Sequence, residues 1–153
     1  MRRLGNAIVL VTTLAWLSCG GSPQSNVLNG AWAAGLYNPD GTPALGFTAT
    51  LTQNGSQVSV TGLSFSSPSS CFGKATTTSS TFTSTGTTHG VASGTFQMAL
   101  QSALSNTNET NLLTLQGNFV RNSISGTWVL TGTELNCTGP KNFTTGDFAM
   151  THQ

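Results

Sequence analysis

Along much of this chain hydrophobic residues recur at every second position. Between residues 46 and 52, Phe47, Ala49 and Leu51 alternate with Thr48, Thr50 and Thr52. A period of two puts one set on a buried face and the other in water, which is the signature of a strand. Gln53-Asn54-Gly55-Ser56 follows, and an Asn-Gly pair between two alternating runs predicts a tight hairpin. Val58 and Val60 then share a face, whereas Leu63 and Phe65 have the opposite parity. Gly62 stands where the parity changes, so a bulge is expected there.

The same alternation returns further on. Phe96, Met98 and Leu100 face one way and Thr95 and Gln97 the other; Leu113, Leu115 and Phe119 alternate with Thr114, Gln116 and Asn118. A turn at Arg121-Asn122-Ser123 leads to Ile124, Trp128 and Leu130, and a last strand over 143–151 carries Phe148 and Met150. A first strand is expected over 30–37, ending in Asn38-Pro39-Asp40-Gly41, where Pro fixes φ and Asp and Gly suit a turn. Residues 66–90 are mostly Ser and Thr. They read as a loop through Cys71 and then either a polar strand near 75–84 or a further loop. Residues 101–110 read as a loop, and 97–104 could hold at most a turn or two of helix.

Five times a glycine precedes an aromatic by two residues: Gly30/Trp32, Gly94/Phe96, Gly117/Phe119, Gly126/Trp128 and Gly146/Phe148. Such pairs lie on one face of a strand, where the glycine leaves room for a ring from next door or lets the sheet coil. A small closed barrel needs both. The expected fold is therefore all-β, a single antiparallel meander of about eight strands forming a small up-and-down β-barrel. A sandwich of two antiparallel sheets is the alternative.

The first residues break this pattern. Arg2 and Arg3 precede an apolar stretch from Leu4 to Leu17, which ends at Ser18-Cys19-Gly20-Gly21-Ser22. A positive start, a short apolar run and small residues describe an export signal, too short to span a bilayer comfortably. With Cys19 at the junction, the segment resembles the lipobox of bacterial lipoproteins. That resemblance implies diacylation of the Cys19 thiol, which becomes the mature N-terminus and holds the protein to a membrane. Trp16 and Leu17 depart from the family's Leu and small residue at those positions. The alternative is ordinary cleavage after Gly20, which releases a soluble secreted or periplasmic protein. Residues 1–18 are thus the signal, 19–28 a flexible Gly/Ser-rich tether and 29–153 the all-β domain. As a whole the chain is similar to small Thr/Ser/Asn-rich bacterial lipoproteins. In such proteins Gly20 after the lipidated cysteine implies the outer membrane.

The three cysteines make an odd count for an exported chain. With Cys19 carrying lipid, Cys71 and Cys137 remain as a pair in an oxidising compartment. Their disulfide would close a loop of about 65 residues, worth roughly 4 kcal/mol in the chain-entropy description. Two reduced, buried thiols are the competing reading.

Charge narrows the partners. Lys74, Arg121 and Lys141 stand against Asp40, Glu109, Glu134 and Asp147 beyond the signal, a net charge of −1. Nucleic acid requires clustered basic residues, so it is not an expected partner. Membrane attachment comes through the lipid, and a protein, a glycan or an apolar ligand are the open partner classes. Asn29-Gly30-Ala31-Trp32 ahead of an eight-strand meander resembles the opening of avidins and lipocalins, in which Gly-x-Trp plugs one barrel end. That resemblance carries no ligand residues over.

Trp32 and Trp128 are the candidate binding aromatics, able to line a cavity or meet a glycan or protein. No catalytic residues, metal ligands or cofactor are expected. His89 and His152 lack ligand-like neighbours, and no Gly-x-Ser-x-Gly elbow or phosphate-cradling loop occurs. Glu134 and Asp147 are the one carboxylate pair that a hydrolase could use. Asn54, Asn108, Asn136 and Asn142 begin Asn-x-Ser/Thr sequons, which matter only in a eukaryotic export route.

Overall fold

In the computed structural model, residues 26–66, 76–88, 91–103, 110–132 and 143–153 are described. They form eight strands: β1 (Gly30–Tyr37), β2 (Pro43–Asn54), β3 (Gln57–Phe65), β4 (Thr76–Thr88), β5 (Val91–Ala103), β6 (Thr110–Val120), β7 (Ser123–Thr131) and β8 (Thr145–His152). Each strand pairs antiparallel with the next, and β8 pairs with β1, so the meander closes into a barrel. Closure excludes the two-sheet sandwich. It also pairs both edges of every strand except along part of the β3/β4 seam, where Gln57↔Thr81 is the one register pair among the described residues.

Alternation fixes what lies inside. Trp32, Leu36, Phe47, Leu51, Phe82, Phe96, Met98, Leu100, Leu113, Leu115, Phe119, Ile124, Trp128, Phe148 and Met150 are all buried in one cluster. Their neighbours in sequence, largely Thr, Ser, Gln and Asn, face outward. The glycines of the Gly-x-aromatic repeat make room inside. A Cβ on Gly94 would run into the ring of Phe82, one on Gly117 would meet Phe148 at 2.9 Å, and one on Gly146 would meet the Trp128 indole at 2.7 Å. Rings from neighbouring strands fill the places where side chains are missing.

Gly62 forms the expected bulge. Thr50 pairs with Thr61 but Thr48 pairs with Ser64, so β3 carries one residue more than β2 across this step. Gly62 takes a φ of 60°, and the extra residue turns Leu63 and Phe65 back toward the core. Thr76–Thr88 is a strand rather than a loop, and β5 runs on through Gln101–Ala103, where a loop or helical turn was expected. β6 explains the latter: its Thr110–Leu112 pair with these residues and continue the ladder.

The strand directions divide the barrel into two ends. At the lower end are the short hairpins at Gly55-Ser56 and Arg121-Asn122 and the C-terminal Gln153. Residues 26–29 cross this end, and Leu28 is wholly buried. Val27 and Leu28 thus belong to the packed domain although their surroundings read as tether. At the upper end are the 38–42 turn, the last residues of β3, β5 and β7 and the first residues of β4, β6 and β8. The 38–42 turn is closed by Asn38 N–H to Thr42 O at 2.8 Å, with Asp40 Oδ1 accepting from Thr42 Oγ1 at 2.6 Å.

Candidate functional site

A fully buried tryptophan lies toward each end of the barrel. At the lower end Trp32 Nε1 donates to Leu28 O at 2.9 Å. Its ring meets Phe119 edge-on with centroids 6.3 Å apart and His152 at 5.2 Å. Gln53 holds the crossing segment in place. Its side-chain oxygen accepts from Leu28 N at 3.3 Å, its backbone N–H donates to Asn29 Oδ1 at 2.6 Å, and its Nε2 donates to Gly55 O at 3.0 Å. His152 Nε2 lies 3.0 Å from Asn29 O, which completes the plug. The sequence pattern groups Gln53 with the Asn-Gly turn, whereas it is the buried penultimate residue of β2, its parity continuing that of Leu51 inward.

At the upper end the Trp128 indole passes Gly146 of β8 and donates from Nε1 to Tyr37 O at 2.9 Å. Thr145 Oγ1 donates to Trp128 O at 2.9 Å. Asn38, Ser102 and Asn111 are buried just beneath the rim, and Ser102 lies opposite Asn111 across the β5–β6 ladder. These three polar side chains lie between the apolar core and the upper rim.

The two candidate binding residues are therefore brought to opposite ends, not together. Both indoles are fully buried, and both N–H groups are bonded to backbone carbonyls. Asp147 lies exposed on the outer face of β8, and His152 is exposed at the lower end. Cys19, Cys71, Cys137, His89 and Glu134 lie outside the described residues, as do residues 1–18, where an export signal is expected. Among the described residues no three His, Cys, Asp or Glu side chains gather into a metal-binding group.

The outer surface is shaped as shallow polar relief. Gln97, Gln116, Thr127 and Asp147 form one row across β5 to β8. A depression of about 300 Å³ lies along that row, above the Gly117–Gly126 pair. Another of about 380 Å³, between Val27, Val91 and Arg121, skirts the lower plug. A third, of about 340 Å³, runs between β3 and β4.

This arrangement can present hydrogen-bonding surface and a rigid frame for the rim connections. The described titratable side chains Tyr37, Asp40, Arg121, Asp147 and His152 lie at the surface. Compared with known protein families, curated proteins and solved structures, the chain matches none.

Proposed function

We propose that this is an exported envelope lipoprotein, anchored through a diacylated Cys19, whose barrel works through its outer face and rim rather than as a container. The two buried tryptophans carry the reading. Trp32 and Trp128 are packed into the core toward opposite ends, and their N–H groups are spent on backbone carbonyls, so neither indole is available to hold a ligand. What is left for recognition is a rigid, nearly uncharged surface of Thr, Ser, Gln and Asn, suited to a protein or glycan partner or to a structural place in the envelope. Gly20 after the anchor supports the outer membrane as its location, and the internal pair Cys71 and Cys137 suits an oxidising compartment.

Two measurements test this. Mass spectrometry of the native protein is expected to find a diacylglyceryl group on Cys19; an unlipidated chain beginning at Gly21 would refute the anchor. A thermal-shift screen of the mature protein against lipids and hydrophobic cofactors is expected to leave the melting point unmoved. A large shift with an apolar compound would make the barrel a container after all.

A further inference from the structure

One seam of the barrel is unlike the rest. β4 pairs with β5, β5 with β6, β6 with β7 and β7 with β8 in long ladders, whereas among the described residues Gln57↔Thr81 is the one register pair between β3 and β4. A further bond, Phe82 N–H to Ser56 O at 2.9 Å, lies at the same lower corner. Above it the strands part, and the groove of about 340 Å³ opens between Val58–Val60 on one side and Thr77–Ser80 on the other. Each of these strands spends its other edge on a neighbour, β3 on β2 and β4 on β5. The two edges left over face each other.

Ser80 supplies a second, independent observation. It is only 6% exposed, it lines this groove, and its Oγ has no hydrogen-bond partner. A buried hydroxyl without a partner costs free energy that an arriving donor or acceptor would recover.

We propose that the β3/β4 seam is a strand-acceptor site, which takes up an extended, uncharged segment of a partner protein by main-chain pairing. Parted strand edges offer backbone N–H and C=O groups to an incoming strand, and natural edges are commonly defended by charge or proline. β3 and β4 contain neither. A lining of Val, Ser, Thr and Gln gives no counter-charge, so the guest is uncharged as well. It would turn apolar side chains in toward Val58 and Val60 and polar ones out beside Ser59 and Ser79. The Thr77–Ser80 stretch sets its length at about four residues, roughly 13 Å of extended chain.

This rests on the outward-acting function proposed above and names the surface through which it would act. The test uses the full mature protein and a capped peptide of alternating valine and threonine, with a version N-methylated at alternate residues as control. In the free protein the seam-facing amides of Val58–Thr61 and Thr77–Ser80 are expected to exchange with solvent far faster than those of β5 and β6. The peptide is expected to slow them by about tenfold or more, and the N-methylated version to leave them unchanged. Slow exchange without peptide, exposed amides that ignore the peptide, or equal protection by the N-methylated control would each overturn the proposal. Failure here with lipid found on Cys19 would remove the acceptor site and leave the anchored-lipoprotein reading standing.

Discussion

Trp32 and Leu28 are locked by reciprocal use. The indole N–H of Trp32 bonds the carbonyl of Leu28 at 2.9 Å, while the Leu28 side chain is wholly buried beneath the barrel. Four residues apart in sequence, they turn what reads as tether into the floor of the domain. Leu28→Ala is therefore expected to destabilise the protein by about 2–5 kcal/mol, as a core truncation does. Urea melts of the mature protein check this. A change within 0.5 kcal/mol or so, ordinary for a surface position, would return residue 28 to the tether.

Gly94 and Phe82 make the corresponding test of the repeat. A Cβ at Gly94 would collide with the Phe82 ring and lie 2.6 Å from Thr83 O. Gly94→Ala is expected to cost about 1–3 kcal/mol, the usual penalty for overfilling a packed core. In a Phe82→Leu background the same change should cost less, because the ring no longer occupies the space. A double-mutant cycle by denaturant melting reads the difference as a coupling of about 1 kcal/mol, and strict additivity would show that the ring does not set the need for glycine.

At Gly62 the need is conformational instead. Its φ is 60°, and the nearest atom to an added Cβ is Thr50 Oγ1 at 3.7 Å, so space is available and only the backbone objects. Gly62→Ala is expected to cost roughly 1–2 kcal/mol, and Gly62→Asn less, since Asn tolerates the left-handed region better. Equal melting midpoints for the wild type and the alanine variant would contradict the bulge geometry.

Gly62 also shows how much the sequence can reveal. The parity break between Val60 and Leu63 is written in residue order alone, and so is the hairpin at Asn54-Gly55, so strands and turns were readable. β4 was only half readable for a physical reason. Its inward positions include Ser80 along with Phe82, and part of one edge faces a parted seam, so it lacks the apolar stripe that a fully packed strand needs. Leu28 was hidden by its neighbours, since Gly-Gly-Ser-Pro upstream outweighs one Val-Leu pair. Trp32 and Trp128 could be picked out as special, but whether an aromatic lines a cavity or plugs an end depends on which carbonyl its N–H reaches. That is a property of closure, and residue order does not carry it.

The last prediction concerns Cys71 and Cys137, which lie in connections outside the described residues. The strands that flank them all finish at the upper rim: Phe65 and Thr76 on one side, Thr131 and Thr145 on the other. By strand order the β3–β4 and β7–β8 connections leave from opposite sides of the barrel. Cys71 stands five positions after Ser66 and Cys137 five after Gly132, and each such run can extend about 17 Å, enough together to meet over the mouth of an eight-stranded barrel. A disulfide between them would strap that mouth and shorten the loops of the unfolded chain. Non-reducing peptide mapping is expected to recover the two cysteines in one cross-linked peptide. Reduction is then expected to lower stability by up to about 4 kcal/mol, with a Cys71→Ser/Cys137→Ser variant matching the reduced protein. If reductant leaves the denaturant midpoint where it was, the two thiols are separate and the mouth is not strapped.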